Sequence, residues 1–256
     1  MLLKRSDAFV LKSMKYGESD RIVTFYSRNF GKITGIARGA AKSRRRFGGL
    51  LEPLTEVAVT YMEKEGKELS RIDSCDLVTS HVQVQEDIKV YYAFAYMAEM
   101  IDQFSTCSEE DERFYRLIKS VIEAIEGGID LAICIRYFEI WTLKLQGILP
   151  GIRDCSSCGR EIIKAGGEFS PTSCDILCFS CGKSLDEKKI SMKAETLEFI
   201  SQVSKKRVED LNQQALLKKE FDSRLEEFLH TLFMNFSEKQ FKSYRYFKEC
   251  LRELKE

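Results

Sequence analysis

Residues 21–37, RIVTFYSRNFGKITGIA, carry the clearest structural signal in the chain. Residues 21–26 are rich in β-branched and aromatic side chains, residues 29–31 have the composition of a turn, and residues 32–37 are again β-branched. This pattern predicts two strands joined by a tight turn. Gly35 lies inside the second strand, where glycine is typical of a bulge or a sharp bend.

Segments with the composition of β-strands also lie on both sides of this hairpin. Residues 8–16, 55–62 and 69–78 are further short apolar or alternating segments, each bounded by turn residues. Five short strands with no helix between most of them indicate a small barrel or sandwich. We therefore predict an α+β protein in which residues 1–80 form a five-stranded OB-fold barrel that binds nucleic acid. An SH3-like barrel is the alternative.

From about residue 84 the apolar residues recur with the period of a helix. The widest apolar stripe consists of Phe114, Leu117, Ile118, Val121, Ile122 and Ile125. Just before it, Ser108 and the acidic run 109–112 are typical of a helix start. We predict a helical domain over residues 81–256, interrupted at residues 150–185 by a module rich in cysteine and glycine.

Two cysteine pairs with the same spacing lie in this module. Cys155 and Cys158 form one C-x2-C pair, and Cys178 and Cys181 form a second pair after a spacer of 19 residues (159–177). Two intervening residues let both thiolates of a pair reach one ion, and four thiolates complete a tetrahedron. The spacing predicts one structural Zn²⁺ ion bound by these four residues, because four protein ligands leave no open coordination position.

The chain has nine cysteines in all. Cys174 lies four residues before Cys178 and is either an alternative zinc ligand or a spare thiol. The cysteines with the context of small buried hydrophobic residues are Cys75, Cys107, Cys134 and Cys250. Charged residues directly follow the first apolar residues, so we expect no signal peptide and reduced thiols rather than disulfides.

Charge is unevenly distributed along the chain. Residues 1–50 contain 12 Lys and Arg against three acids, a balance of 12 − 3 = +9, although the whole chain is neutral. A basic end of this kind is typical of a protein that binds a polyanion. Within it, residues 38–49, RGAAKSRRRFGG, contain five basic residues, one aromatic residue and no acid.

This basic segment has the residue types that bind nucleic acid. Arg and Lys neutralise phosphates, a serine hydroxyl hydrogen-bonds to one, and an aromatic ring stacks on a base. The predicted nucleic-acid-binding residues are Arg38, Lys42, Ser43, Arg44, Arg45, Arg46 and Phe47, with Arg21 and Lys32 extending the surface. A solvated loop or a segment that docks a partner protein is the alternative.

Signatures of enzymes and membrane proteins are weak. Gly182-Lys183-Ser184 resembles the end of a P-loop, but Leu177 stands where that motif requires a glycine. His81 is followed two residues later by Gln83, not by the glutamate of a zinc deaminase. No apolar stretch approaches the ~18–20 residues that cross a bilayer. We therefore expect no enzymatic activity and no membrane partner.

Several short motifs occur in a fixed order along the chain. In the first half they are Val10-Leu11, Tyr16-Gly17-Glu18-Ser19-Asp20-Arg21, Phe30-Gly31-Lys32, Arg38-Gly39-Ala40, Ser43-Arg44 and Leu51-Glu52-Pro53. In the second half they are Leu149-Pro150, Cys155-Ser156-Ser157-Cys158-Gly159-Arg160, Phe169-Ser170, Cys178-Phe179-Ser180-Cys181 and Lys242-Ser243-Tyr244-Arg245. Together they resemble the bacterial DNA repair protein RecO family over nearly the whole chain. One departure is Ser173-Cys174, where the family often has glycines.

The resemblance implies a non-catalytic recombination mediator of the bacterial cytoplasm, associated with the nucleoid. Such proteins bind single- and double-stranded DNA, anneal complementary strands, and engage the acidic C-terminal tail of single-strand DNA-binding protein. With a RecR-like partner they help the RecA recombinase to replace that protein at gaps. Two alternatives stand beside it: an RNA-binding or transcription-associated barrel with a zinc ribbon, and a metal-dependent enzyme with an open coordination position.

Overall fold

A computed structural model describes residues 2–63, 69–81, 86–105, 111–184, 186–211, 219–237 and 240–253. The chain divides into two compact units. The first consists of Met1–Lys119 together with Phe241–Glu256, and the second is Ser120–Gln240. The last residues of the chain therefore belong to the same unit as the first ones.

The first unit begins with five strands. They are β1 (Leu2–Tyr16), β2 (Asp20–Ser27), β3 (Gly31–Ala37), β4 (Glu56–Glu63) and β5 (Ser70–Thr79), with the short helix α1 (Arg44–Phe47) between β3 and β4. The strands close into a barrel in the order β1-β2-β3-β5-β4. The β3–β5 pair is parallel, whereas the other pairs are antiparallel. This five-stranded, OB-like barrel confirms the predicted fold class.

Strand β1 closes the barrel because its two halves pair with different neighbours. Residues 2–9 pair with β4 and residues 8–16 pair with β2, and the register shifts between Val10 and Lys12. Side chains at alternate positions point into the barrel, where Val10, Val23 and Phe25 are fully buried. Burying one such side chain contributes about 1.5–3 kcal/mol.

Gly35 allows another strand to approach its backbone closely, and it does not form a bulge. The β2–β3 pairing is regular through this residue, so of the two predicted alternatives, a bulge or a sharp bend, the bulge is wrong. A Cβ atom at Gly35 would lie 2.7 Å from the carbonyl oxygen of Ser70 and 2.6 Å from Cδ1 of Ile72, both in β5. Glycine is needed here because β5 crosses onto β3 in parallel at this point.

Helices cover part of the barrel in the first unit. The first turns of α3 (Glu112–Glu126) pack on it, where Tyr115 contacts Phe9 at 4.8 Å between ring centroids and donates to Glu56 at 2.9 Å. Asp111 begins this helix by accepting hydrogen bonds from two backbone N–H groups of the first turn. A helix does begin within the predicted acidic run, at Glu112, with Asp111 rather than Ser108 as its cap; residues 108–110 lie outside the described residues.

Two further helices of this unit, α2 (Ile88–Phe104) and α8 (Lys242–Glu253), pack against each other. The carboxylate of Glu99 in α2 accepts hydrogen bonds from the backbone N–H groups of Lys242 and Ser243, at 3.0 and 2.9 Å. Phe247 stacks on Tyr96 with ring centroids 6.0 Å apart. The C-terminal helix is therefore fixed at its first turn and along one face.

The second unit contains the rest of α3 and the remaining elements. They are α4 (Leu131–Leu145), β6 (Gly167–Ser170), β7 (Asp175–Leu177), α5 (Phe179–Gly182), β8 (Ile190–Met192), α6 (Ala194–Val203), a 3-10 turn (Val208–Asp210) and α7 (Lys219–Phe236). The three strands form a sheet in the order β7-β6-β8. Phe169 of β6 packs on Phe228 of α7, with ring centroids 4.8 Å apart. None of the described helices has the length and apolarity needed to cross a membrane.

Candidate nucleic-acid interface and metal centre

The outer face of the barrel presents a row of side chains across four strands. Val23 of β2 is fully buried inside the barrel and pairs with Gly35 of β3. The residues on either side of this pair, such as Ile22 and Ile36, therefore point outward. The register places Met14 beside Ile22, Ile22 beside Ile36, and Ile36 beside Arg71. This row is partly apolar and ends in a cation.

The end of β1 extends this outer face with exposed residues. Lys12 and Met14 are exposed, and Tyr16 retains 52% of its surface. Sequence reasoning missed all three as candidate binding residues. Their place at every second position of the predicted first strand, which puts them on one face, was the signal that could have identified them.

The basic segment (residues 38–49) is anchored beside this face through its backbone. The N–H of Gly39 donates to Asp20 Oδ1 at 2.8 Å, and the N–H of Ala41 donates to the carbonyl oxygen of Ser19 at 2.9 Å. These bonds join the segment to the turn between β1 and β2. Arg38 and Lys42 are exposed at this junction, and neither forms an ion pair with a side chain that the structure describes.

Arg46 shapes the basic segment from within. Its guanidinium donates to the carbonyl oxygen of Arg38 at 2.8 Å, and its Nε lies 3.4 Å from the hydroxyl of Ser43. The guanidinium also lies 5.1 Å from the centroid of the Phe47 ring. Arg46 is exposed, but its hydrogen-bonding groups are largely used to hold the segment in this conformation.

Phe47 belongs to the barrel core. Its side chain is 2% exposed and packs in the buried cluster that includes Val10 and Phe25. The prediction that Phe47 stacks on a base is therefore wrong, because its ring is buried in the core of the barrel. The backbone of Arg44 and Arg45 is the start of α1, whereas their side chains lie outside the described residues.

Lys32 and Arg21 differ from the exposed pair Arg38 and Lys42, because the charged group of each has a partner within the protein. Lys32 Nζ donates to the backbone carbonyl of Asp102 at 2.7 Å and lies 3.3 Å from its carboxylate. It therefore joins the barrel to α2 and is not a free cation. Arg21 is half-buried and donates to the hydroxyl of Ser13 at 3.0 Å.

The four predicted zinc ligands lie together in the second unit. The sulfur atoms of Cys155, Cys158, Cys178 and Cys181 all lie within 4.8 Å of one another. Those of Cys158 and Cys178 are 3.8 Å apart. A tetrahedral zinc ion with Zn–S bonds of about 2.3 Å requires sulfur–sulfur distances of about 3.8 Å. The four sulfurs therefore fit one tetrahedral ion.

Each cysteine pair lies on a tight turn that directs both sulfurs inward. The N–H of Gly159 donates to the carbonyl oxygen of Cys155 at 2.9 Å, and Gly159 has a φ of +69°, which favours glycine. Cys178 precedes α5, and the N–H of Gly182 donates to its carbonyl oxygen at 2.9 Å. A Cβ at Gly182 would meet the side chain of Glu168, which would have to shift to make room for it.

The environment of the four sulfurs favours bound thiolates. Desolvation opposes ionisation of Cys155, but backbone N–H groups of Cys178 and Cys158 lower its pKa to about 6. The backbone N–H of Cys181 is the main cause that lowers the pKa of Cys178. The neighbouring sulfurs of Cys178 and Cys158 raise the pKa of Cys181 to about 12. A divalent cation removes this mutual repulsion, so the donor set suits a metal ion.

The remaining described cysteines lie outside this cluster. Cys174 has a φ of +56°, and its sulfur lies 3.2 Å from the side-chain amide nitrogen of Asn235. Cys75 and Cys134 are buried, and burial raises the pKa of each to about 12. They are therefore inert thiols in apolar surroundings. Cys107 lies outside the described residues.

Comparison with known protein families gives one consistent result. The family model described as "Recombination protein O N terminal" matches residues 1–81, which contain the whole barrel. The model described as "Recombination protein O C terminal" matches residues 85–245. The two models together match residues of both compact units.

Curated relatives agree with the family models. The chain is 40% identical over 162 residues to the "DNA repair protein RecO" of Koribacter versatilis, a match that covers 63% of this chain and 66% of that protein. It is 35% identical over 179 residues to the protein of the same name from Geobacter metallireducens, covering 70% of this chain and 72% of that protein. The chain belongs to the RecO family of DNA repair proteins.

Proposed function

We propose that this chain is a non-catalytic recombination mediator. It binds single- and double-stranded DNA, anneals complementary strands, and engages the acidic tail of single-strand DNA-binding protein. With a RecR-like partner it promotes loading of the RecA recombinase at gaps. The observation that carries the proposal is the joint match of the two RecO family models to a chain whose barrel exposes a cationic segment.

The barrel is the proposed DNA surface. Arg38 and Lys42 are exposed cations at the edge of the outer face, and Lys12 continues the charge along β1. Tyr16 and Met14 lie on the same strand and offer apolar surface to bases. Cations that contact phosphates give affinity without sequence preference, and exposed rings add stacking with any base. This combination suits a protein that must act at any gap.

Annealing follows from the same contacts. Cations on the barrel neutralise phosphates and lower the repulsion between two strands that must align. Base pairing then supplies the free energy of the reaction, so the protein needs no nucleotide hydrolysis. Because its substrate is chromosomal DNA, the protein works in the bacterial cytoplasm, at the nucleoid.

The cysteine cluster is the proposed site of one structural zinc ion. Cys155, Cys158, Cys178 and Cys181 would supply four thiolates and complete the coordination shell, which leaves no position for a reacting water. The ion would tie the turn after β7 to the turn before β6. In zinc-finger peptides such binding contributes about 10–16 kcal/mol to folding, so it can order a module with a small core.

Annealing of strands coated with single-strand DNA-binding protein tests the proposed function. Two complementary strands are first saturated with the cognate single-strand DNA-binding protein, and duplex formation is followed by fluorescence without nucleotide. We expect stoichiometric amounts of this protein to accelerate annealing. The Arg38→Ala/Lys42→Ala variant should lose most of the acceleration, whereas Arg113→Ala/Lys188→Ala removes two exposed cations elsewhere and serves as the control.

The other outcomes lead to different conclusions. Unchanged annealing of coated strands, with bare strands still bound, would favour the RNA-binding or transcription-associated alternative. Competition between matched DNA and RNA oligonucleotides would then show which of the two nucleic acids the protein prefers. Absence of binding to either nucleic acid would reject the barrel as a nucleic-acid surface.

A further inference from the structure

Three exposed side chains and the partly buried Tyr92 form a row on α2 and α8 that the barrel surface does not use. The rings of Tyr92 and Tyr246 are nearly parallel, with centroids 6.0 Å apart and 18° between planes. Tyr91 meets Tyr92 at 72° with centroids 5.9 Å apart. The guanidinium of Arg245 lies 5.0 Å from the centroid of Tyr246. We call Tyr91, Tyr92, Tyr246 and Arg245 the aromatic ladder.

The ladder is held by the contacts that dock α8 on α2. Glu99 binds the first two backbone N–H groups of α8, and Phe247 stacks on Tyr96 behind the ladder. Tyr244 packs on the same ring of Tyr96, with centroids 5.1 Å apart. The rings are therefore ordered before any ligand arrives, which lowers the entropic cost of binding.

The ladder is accessible and lies among cations. Tyr246 retains 46% of its surface, and the side chain of Arg245 retains 71%. Lys242, Arg245 and Lys248 stand against the single acid Glu249 in residues 242–249. Apolar rings left exposed beside positive charge indicate a ligand that offers both flat apolar surfaces and negative charge.

We propose that the aromatic ladder binds single-stranded DNA by stacking unpaired bases. Tyr246 keeps 46% of its surface exposed beside Tyr92, and Arg245 donates to its hydroxyl at 3.2 Å, so a base that reaches this ring also meets a guanidinium. Bases stack on tyrosine rings and on guanidinium planes, and nearby lysines can hold the phosphates. A duplex hides its base faces, so the ladder selects single strands.

This proposal rests on the proposed DNA-binding function and adds a second surface to it. The barrel cations contact phosphates, which every strand has. The ladder contacts bases, which only an unpaired strand exposes. The two surfaces therefore differ in what they require of the ligand, and that difference can be measured.

Binding of an oligothymidylate and of a matched abasic strand, measured by fluorescence anisotropy, tests the ladder. We expect Tyr246→Ala to weaken binding of the oligothymidylate by about 5-fold or more and to leave the abasic strand unchanged. The slope of affinity against salt should stay the same, because no phosphate contact is lost. Tyr246→Phe keeps the ring and should bind as the unmodified protein does. Phe236→Ala removes an exposed ring in α7 and is the matched control.

The results that overturn the proposal are distinct from failure of the proposed function. Equal weakening for both strands by Tyr246→Ala, or unchanged binding of the oligothymidylate, would reject base stacking at the ladder. If the unmodified protein binds neither strand, the proposed DNA-binding function itself fails. Thermal unfolding of each variant shows that the fold is intact.

Discussion

Replacing Arg38 and Lys42 together by alanine should flatten the salt dependence of single-strand binding. Both side chains are exposed, whereas the bonds that anchor the segment use backbone atoms of Arg38, Gly39 and Ala41, which the substitutions retain. Each phosphate contact on a single strand contributes about 0.7 to the log–log slope, so two lost contacts reduce it by about 1.4. Between about 50 and 200 mM salt, the unmodified protein should then lose about 7-fold more affinity than the variant.

Fluorescence anisotropy titrations of one labelled strand at several salt concentrations give this slope directly. The Arg113→Ala/Lys188→Ala variant has the same net charge, and its lost side chains already pair with Asp111 and Glu227. Its slope should equal that of the unmodified protein. An unchanged slope in the Arg38→Ala/Lys42→Ala variant, with an unaltered unfolding transition, would show that DNA does not contact this segment.

Three further predictions concern the metal centre and the barrel. Cys155→Ser should remove the bound zinc, as measured by native mass spectrometry, and retained zinc would show that the ligand set is wrong. Gly35→Ala should lower the free energy of unfolding in urea by about 1–3 kcal/mol, because the added methyl group meets a backbone oxygen 2.7 Å away, whereas Gly151→Ala has open space and should change little. Burial is the main cause that raises the pKa of Tyr26 and Tyr115, so the folded state holds these protons more tightly than the unfolded state. Stability should therefore be unaffected by these groups below about pH 10 and fall as the pH rises above it, and a urea midpoint that is constant up to strongly alkaline pH would contradict this.

Local sequence patterns were sufficient for the elements of the fold. Alternating and β-branched segments located the five strands, and the stripe from Phe114 to Ile125 is buried as predicted. The role of Gly35 could not be predicted, because the cause is a carbonyl oxygen of β5, some 35 residues away in sequence. The N-terminal half of β1 was also not predicted as a strand, because its partner is β4, which is distant in the sequence.

The two candidate sites differ in how far sequence could specify them. The cysteine cluster follows from two local spacings, and the structure brings together the four residues that those spacings name. The basic segment is defined by charge, which does not reveal which side chains turn inward. Phe47 is buried in the barrel core and Lys32 contacts Asp102, and both facts depend on tertiary neighbours.

The return of α8 to the first unit has a consequence for synthesis of the protein. The first unit is interrupted after Lys119 and resumes at Phe241, so the 121 residues of 120–240 separate its two parts. At a typical rate of about 5–20 residues per second, a ribosome needs roughly 6 to 24 s to make that stretch. During this interval α8 cannot yet cover the face of α2 that carries Tyr96 and Glu99. The first unit is completed only after α8 has been translated.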